Sequence, residues 1–339
     1  MKIFVCEFIT SGGLYRESLT AGLLMEGLMM RNALLADLAG IRDVEVLCAY
    51  DHRLPAPEVQ HAIMVRALDD VWQIWEGLIK QSDAVWLIAP ETSGTLLRLT
   101  EQVDRHGKLL LGCPAIAVSL TSSKQATVHA LMQAGIGCVP TSTAQEWLAG
   151  ERLPGVAGWV VKPDDGVSCE GSAHLHDEKE VTEWIMQNGR LTHIVQPWRP
   201  GEAASISMLC RNGRSWLLSC NRQKVLHDSG RFCYQGSVIN GLSQYWDSFA
   251  LLAQQIAQTV PELTGYVGVD LILGSDDPAM PEVLEINPRL TTSYVGLRRA
   301  TGINVAEQIL NLLAEKGQEN VPFHLPRISR NIIDVTLKQ

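Results

Sequence analysis

The sequence has no run of basic residues, no C-x-x-C pair and no long apolar segment. Without clustered lysine or arginine, and with a net charge of −9, nucleic acid and anionic membranes are not favoured as partners. The eight cysteines are scattered, which is typical of reduced, mostly buried cytosolic thiols. The longest weakly polar stretch, LLLGCPAIAVSL, has about 12 residues and is too short to span a bilayer.

The first residues, MKIFVCEFI, lack the charged segment and cleavage site of a signal peptide. We therefore predict a cytoplasmic globular protein. Its 339 residues, 46% of them hydrophobic, suffice for two or three packed lobes. The sequence leaves the oligomeric state open, with a homodimer among the options.

Residues 1–113 alternate predicted strands with predicted helices. The strands are KIFVCEFI, VEVLCAYD, AIMVRAL, AVWLIAPE and KLLLG, and LTAGLLMEGLMMRNALLADLAG is the longest of the helices. This alternation predicts a doubly wound parallel sheet in an α/β protein. Ligands of such sheets lie outside the carboxyl ends of the strands, where the sequence has Glu7 and Glu91, each followed by small polar residues.

After Cys113-Pro114 the alternation ends, and from GWVVKP onward β-type segments dominate. Two of these, YVGVDLILG and PEVLEIN, flank the turn-rich SDDPAM and predict a hairpin. If Leu273 pairs with Glu282, Asp270 lies opposite Glu285 at about 5 Å. Two carboxylates at that distance repel by roughly 3 kcal/mol at an effective dielectric of 20. Either one of them is protonated or a cation lies between them.

Strand alternation places Asn287 on the same face as Glu285. Two carboxylates and one amide form a hard oxygen ligand set, which suits Mg²⁺ with water and phosphate oxygens completing the shell. The alternative is a hairpin end whose acids face water.

GWVVKPDDGVSCEGS ends an apolar strand at Lys162 and continues into a loop that contains Gly166, Ser168, Gly171 and Ser172. A lysine at the end of a core strand needs an anion, and the N–H groups of such a loop can bind phosphate oxygens. The alternative is a tight turn with Lys162 reaching water. The loop matches neither a Walker A motif nor G-x-G-x-x-G.

Two further segments are candidate nucleotide contacts. Lys124 lies in the first turn of a predicted helix, where the macrodipole disfavours a cation unless a phosphate is near; the alternative is a solvated surface lysine. HIVQPWRPG is a strand that enters a proline-rich bend. Because Pro197 has no N–H, a backbone donor to adenine would come from Trp198, and the alternative is an ordinary loop.

Together these segments resemble the ATP-grasp superfamily of carboxylate–amine ligases, which hold ATP between two α+β lobes. The matching parts are Lys124, VVKPDDGVSCEGS, the hinge VQPW, and the distal VGVD and EINPR. The resemblance implies an N-terminal doubly wound domain at 1–113, a small lobe with a Gly-rich flap at 114–190, and a large lobe with a metal site at 191–339.

The resemblance also implies nucleotide contacts. Lys124 and Lys162 would bind the ATP phosphates beneath a flap at Gly166–Ser172, and Gln196 and Trp198 would line the adenine hinge. In GEAASIS, Ala203 occupies the position of the family's ribose-binding glutamate, which leaves the neighbouring Glu202 as the candidate.

The metal and catalytic roles follow from the same resemblance. Asp270, Glu285 and Asn287 would hold two Mg²⁺ ions, with Mn²⁺ as a substitute, and Glu285 would bridge them. Arg289 and Lys162 would stabilise the phosphoryl group during its transfer.

EFITSGGL, IAPETSG and EINPRLTTSYVGL are similar to tyramine–glutamate ligases of methanofuran-type cofactor synthesis. This narrower resemblance implies an amide formed from the side-chain carboxylate of L-glutamate and tyramine through an acyl phosphate. It implies that Glu7 or Glu91 holds the amine cation and Arg298 the α-carboxylate, the alternatives being exposed acids and a surface arginine. The full set of implied substrate contacts is Glu7, Ser11, Gly12, Gly13, Glu91 and Arg298.

Other functions remain open at this point. A peptide ligase, or a ligase for another amine, would carry the same ATP motifs. A non-catalytic ATP-binding regulatory module would not need all three metal ligands and Arg289. A nicotinamide dehydrogenase is disfavoured because TSGGL lacks the third glycine of the dinucleotide fingerprint.

Overall fold

Three β-sheets organise the described part of the chain in this computed structural model. The structure describes residues 1–153, 157–167, 169, 171–188, 192–274, 279–314 and 323–337. No helix within these ranges is both long enough and apolar enough to cross a membrane.

The N-terminal part is a parallel sheet with helices on both faces, as predicted. Its elements are β1 (Lys2–Glu7), α1 (Ala21–Ala39), β2 (Glu45–Asp51), β3 (His61–Val65), α2 (Val71–Gln81), β4 (Ala84–Ile88), α3 (Thr95–Arg105) and β5 (Leu109–Leu110). The strand order is β3-β2-β1-β4-β5. The order therefore reverses between β1 and β4, which is the position where sheets of this kind bind ligands.

Alternate residues of β1 belong to different cores. Ile3 and Val5 share a buried cluster with Leu34 of α1, whereas Phe4 and Cys6 share one with Trp75 of α2. Because both faces are covered, the strand is a continuous apolar run rather than an alternating one.

A four-stranded antiparallel sheet follows, with the order β6-β9-β7-β8. The elements of this part are α4 (Ala115–Thr121), α5 (Lys124–Gln133), β6 (Ser142–Thr143), α6 (Ala144–Leu148), β7 (Trp159–Pro163), β8 (Ala173–Leu175), α7 (Glu178–Asn188) and β9 (His193–Pro197). Trp147 and Trp159 lie in its core with ring centroids 5.6 Å apart.

The third sheet is antiparallel, with the order β14-β13-β10-β11-β12-β15. Its elements are β10 (Gly201–Arg211), β11 (Arg214–Asp228), β12 (Arg231–Ile239), α8 (Trp246–Thr259), β13 (Gly265–Gly274), β14 (Glu282–Asn287), α9 (Tyr294–Thr301), α10 (Val305–Ala314) and β15 (Ile333–Thr336). The division at residues 113 and 190 remains a proposal, with one adjustment. Because β9 pairs with β6 and β7, we assign it to the small lobe.

The β13–β14 hairpin contains a β-bulge at Leu284. Asp270 pairs with Glu285 as predicted, but Ile272, not Leu273, pairs with Glu282. The assumed pairing of Leu273 was therefore wrong, and the extra residue in β14 restores the predicted acid pair. Bulges of this kind redirect side chains and are frequent beside active sites.

Candidate active site

Asp270 and Glu285 form a carboxylate pair joined by a side-chain hydrogen bond. Gln223 Nε2 donates to Asp270 Oδ1 at 2.7 Å, and Asn287 Nδ2 donates to Asp270 Oδ2 at 3.4 Å. On the other side, Lys124 Nζ lies 3.1 Å from Glu285 Oε2. The alternative of a hairpin end facing water is therefore excluded.

The surroundings of the two carboxylates shift their pKa values in opposite directions. Burial and repulsion from Glu285 raise the pKa of Asp270 to about 8. Burial also disfavours the ionised form of Glu285, but Lys124 and Lys162 outweigh it and lower the pKa of Glu285 to about 2. A cation bound between the two carboxylates would relieve the repulsion that raises the pKa of Asp270.

The donor chemistry of this pair fits Mg²⁺. Both side chains supply hard oxygen ligands, and Asn287 lies beside them. In the described part of the chain, no group of three or more carboxylates, imidazoles and thiols forms a metal cluster. Water and phosphate oxygens would complete the shell, as is usual for a magnesium ion that binds a nucleotide.

Lys124 is buried, which excludes the alternative of a solvated surface lysine. It begins α5 directly after Ser123, whose hydroxyl caps the helix by accepting from the Ala126 N–H. Lys124 Nζ also donates to the carbonyl of Gly166 at 2.7 Å, in the loop that follows β7. One ammonium thus connects this loop with Glu285.

Lys162 lies on β7 with a cation and an anion near it. Burial lowers the pKa of Lys162, Glu285 partly offsets this effect, and Lys124 adds to it. A lysine in this environment gains from an additional anion, so the position favours a phosphate contact.

A cavity of about 370 Å³ lies between the two antiparallel sheets. Four predicted charged contacts to phosphate or metal come together on its wall: Lys124, Lys162, Asp270 and Glu285. Residues of β7, β9, β10, β11, β12, β13 and β14 line it.

The loop after β7, which we call the flap, covers part of this cavity. Gly166 and Ser172 line the cavity together with Val167 and Cys169, which we had not predicted. Gly171 has a φ of +71°, and a Cβ there would lie 3.1 Å from Pro163 Cγ, so glycine suits this turn. Ser168, also a predicted contact, lies outside the described residues.

The far wall of the cavity is aromatic. Trp198 stacks on His174, with centroids 4.8 Å apart, and also packs against His227 and Phe232. The backbone N–H of Trp198 donates to the Gly158 carbonyl at 2.8 Å, so it is not the donor to adenine that we predicted. Trp198 instead presents its indole ring to the cavity.

Gln196 lines the same wall as predicted. It is buried on β9, and its Nε2 donates to Thr141 Oγ1 at 2.8 Å. This bond fixes the amide at the edge of the cavity.

Glu202 does not line the cavity, so the prediction that it contacts the ribose was wrong. Gly201 and Ala203 line the cavity, and strand alternation turns Glu202 to the other face of β10. There it forms an ion pair with Arg222.

The second half of β11 was not predicted to line the cavity. Gln223, Val225 and His227 line the cavity from this strand, and Phe232 does so from β12. Gln223, Val225 and His227 are spaced two residues apart, as on one face of a strand, but Gln223 and His227 are polar, so the segment lacks the apolar alternation that marks a strand.

A second cavity, of about 380 Å³, lies at the carboxyl ends of β1 and β4. Its carboxylates are Glu7, Glu17 and Glu26, and its apolar lining includes Phe8, Leu14, Leu23 and Met30. Val167 of the flap lines both cavities, and Arg289 lines the second. The two spaces therefore meet at the flap.

Glu7 and Gly13 line this second cavity, but Ser11 and Gly12 do not. The Glu7 carboxylate accepts from the Thr10 N–H at 2.7 Å, and burial raises the pKa of Glu7. The Ser11 carbonyl accepts from Trp75 Nε1, and a Cβ on Gly12 would lie 2.9 Å from Val65 Cβ. These two residues shape the turn at Ile9–Gly13 instead of contacting a ligand.

Two predicted substrate residues are engaged by other groups. Both oxygens of Glu91 accept hydrogen bonds from Arg289. The prediction that Glu91 holds the amine was therefore wrong. Arg298 lies on α9 with its Nη1 2.9 Å from Asp37 Oδ1 and lines neither of the two cavities. The prediction that Arg298 contacts the α-carboxylate was therefore wrong.

A nucleotide-sized cavity between two antiparallel sheets, with lysines and a carboxylate pair at one end and a parallel-sheet domain before it, is the architecture of an ATP-dependent ligase. The sequence model of the ATP-grasp domain matches residues 121–293, and that of the pre ATP-grasp 3 domain matches residues 44–118. The chain belongs to the ATP-grasp family.

Two relatives narrow the comparison. The chain is 26% identical over 300 residues to the tyramine–L-glutamate ligase of Methanocaldococcus fervens, covering 87% of this chain and 89% of that protein. It is 26% identical over 318 residues to the same enzyme of Methanocaldococcus jannaschii, covering 91% and 90%. The family and these relatives confirm the prediction of an ATP-dependent ligase that forms a carbon–nitrogen bond.

Solved structures share the fold. An ATP-grasp superfamily protein from Archaeoglobus fulgidus matches with a TM-score of 0.68 and 23% identity, over 99% of each chain. The L-amino acid ligase of Bacillus licheniformis matches with a TM-score of 0.66 and 17% identity, over 95% of this chain and 77% of that one.

Proposed function

We propose that the protein joins the side-chain carboxylate of L-glutamate to the amine of tyramine, using ATP, in methanofuran-type cofactor synthesis. The two tyramine–L-glutamate ligase relatives support these substrates. The observation that carries the proposal is the meeting of the nucleotide cavity with the acidic second cavity at the flap. All eight cysteines are free thiols, which supports a cytoplasmic location.

The proposed reaction has two steps. A carboxylate oxygen of glutamate attacks the γ-phosphorus of ATP, the bond from phosphorus to the ADP oxygen breaks, and an acyl phosphate forms. Tyramine loses one proton from its ammonium group to solvent, and the neutral amine attacks the acyl carbon. The bond from carbon to the phosphate oxygen breaks, the nitrogen loses a second proton, and inorganic phosphate leaves.

The chain's own residues would act mainly by position and charge. Lys124 and Lys162 would neutralise phosphate oxygens, and Arg289 would stabilise the phosphoryl group. The flap would exclude water, which hydrolyses acyl phosphates. Asp270, Glu285 and Asn287 would hold two Mg²⁺ ions, or Mn²⁺, which when bound supply further charge neutralisation at the phosphates.

The lining of the second cavity favours an amine over an amino acid. Glu7, Glu17 and Glu26 attract an ammonium group, and the apolar side chains between them suit an aromatic body. The same carboxylates repel the α-carboxylate that an amino acid would bring into this space. We therefore favour tyramine over an amino acid as the acceptor, and a peptide ligase is the weaker candidate.

The test compares Glu26→Gln with the wild-type protein on two acceptors. Tyramine is a cation at pH 7.5, whereas hydroxylamine is neutral and converts the acyl phosphate to a hydroxamate. We expect Glu26→Gln to lower kcat/KM for tyramine roughly tenfold, the loss of about 1.4 kcal/mol of ion pairing. Glutamate-dependent hydroxamate formation should change less than about twofold, because that acceptor carries no charge.

Glu101→Gln, on the exposed face of α3, is the matched control and should behave as wild type. Equal loss with both acceptors would contradict the amine cavity. Wild-type protein that forms neither the tyramine amide nor the hydroxamate would contradict the proposed substrates.

A further inference from the structure

The ion pair between Glu91 and Arg289 joins the N-terminal domain to the ligase lobes. The two residues are 198 positions apart, and their side chains are only 6% and 12% exposed. Arg289 Nε lies 3.0 Å from Glu91 Oε1, and Nη2 lies 2.9 Å from Oε2. Two parallel charge-assisted bonds fix the plane of a guanidinium as well as its position.

The contacts of Arg289 leave part of its guanidinium for a ligand. A guanidinium has five N–H groups. Nε and Nη2 each use one toward Glu91, and Nη1 uses one toward the Leu290 carbonyl at 3.2 Å. Within the described part of the chain, no further acceptor contacts the remaining N–H of each terminal nitrogen, and these two N–H groups suffice for two oxygens of a phosphoryl group.

The contact with Glu91 also balances the positive charge of Arg289. Glu91 is the counterion of a guanidinium whose side chain is only 12% exposed. Removing the carboxylate would leave a cation that is largely shielded from water without its counterion, which favours a shift toward Glu285 or another anion.

The same turn of the N-terminal domain holds the flap. Thr92 Oγ1 donates to the Asp165 carbonyl at 3.0 Å, and the Ser93 N–H donates to Asp165 Oδ2 at 2.8 Å. Ser93 has a φ of +55°, a backbone conformation that residues other than glycine rarely adopt. Consecutive residues 91–93 therefore contact both Arg289 and the loop that covers the nucleotide cavity.

We propose that Glu91 is a positioning residue, which holds the guanidinium of Arg289 in the plane and place required for phosphoryl transfer. The N-terminal domain thereby completes the reaction centre of the two ligase lobes. This inference rests on the proposed function, because it takes the transferring phosphoryl group as the ligand of Arg289.

The experiment is a double-mutant cycle between the two residues. Glu91→Gln keeps the shape and removes the charge. We expect it to lower kcat by about 10- to 100-fold, with the KM for ATP changed less than about twofold because Lys124 and Lys162 are intact. Glu91→Asp, which keeps the charge, should recover part of the lost kcat. Glu101→Gln again serves as the control.

In an Arg289→Lys background, Glu91→Gln should add less than about a twofold loss of kcat, because the group it positions has already been changed. A thermal melt of each variant checks that it is folded. Wild-type kcat in Glu91→Gln, or losses that multiply in the double variant, would overturn the positioning role.

Failure of the proposed function is distinguishable from this. It would appear as wild-type protein that releases no ADP with glutamate and tyramine. The cycle is then measured on the carboxylate and amine that the wild type does accept, where the same coupling is expected.

Discussion

Glu285→Ala is expected to abolish ATP turnover, with glutamate-dependent ADP release falling by roughly 1,000-fold. Glu285 is the residue that Asp270, Lys124 and the proposed cation share. Its removal leaves Lys124 and Lys162 facing each other across an emptied position, with a single carboxylate for the metal. The phosphates would then lack both charge neutralisation and a defined position.

The fold should survive this change, because Glu285 lies on a cavity wall and the apolar residues of β14 on either side remain. Circular dichroism and a thermal melt check this. Glu262→Ala, at an exposed position of the same lobe, is the control and should keep wild-type ADP release. Near-wild-type ADP release by Glu285→Ala would contradict the proposal that Glu285 binds the metal.

Lys162→Ala is expected to weaken ATP binding by roughly 10- to 100-fold, because it removes a buried cation from the phosphate end of the cavity. Adenosine has no phosphates and would rest against the Trp198 wall, so its affinity should change less than about twofold. Titration calorimetry with adenosine and with a non-hydrolysable ATP analogue measures both affinities.

Lys224→Ala provides the matched control for this measurement. Lys224 is a lysine of β11, and its Nζ contacts Asp334 at 2.6 Å outside the nucleotide cavity. We expect its affinity for the ATP analogue to equal that of wild type. Unchanged affinity of Lys162→Ala for the analogue would contradict the phosphate contact proposed for Lys162.

Local patterns were sufficient for much of the fold. The N-terminal sheet was predictable because its central strands are buried on both faces and form apolar runs, and the helices α2 and α3 that alternate with them are amphipathic. The facing of Asp270 and Glu285 was predicted from an assumed register that was wrong by one residue, and the bulge at Leu284 compensates for that error. The bulge itself was not predictable, since nothing in the local sequence marks which residue is extra.

The site was harder to predict where its contacts join distant segments. Glu91 and Arg298 both had the right charge for substrate contacts, but Arg289 and Asp37 bind them instead. Those partners come from other domains, and a sequence pattern records only neighbours along the chain. Trp198 was predicted to line the adenine hinge, but its aromatic partners His227 and Phe232 were not, because they come from β11 and β12, which are distant from it in the sequence.

The most direct test of the account follows the oxygen of the glutamate carboxylate. The protein is incubated with ATP, Mg²⁺, tyramine and L-glutamate that carries ¹⁸O in its side-chain carboxylate, and the released phosphate is analysed by mass spectrometry. We predict one ¹⁸O atom in each phosphate, because the attacking oxygen stays on phosphorus when the amine displaces it. Unlabelled phosphate, or label transferred to AMP, would contradict carboxylate activation by phosphorylation.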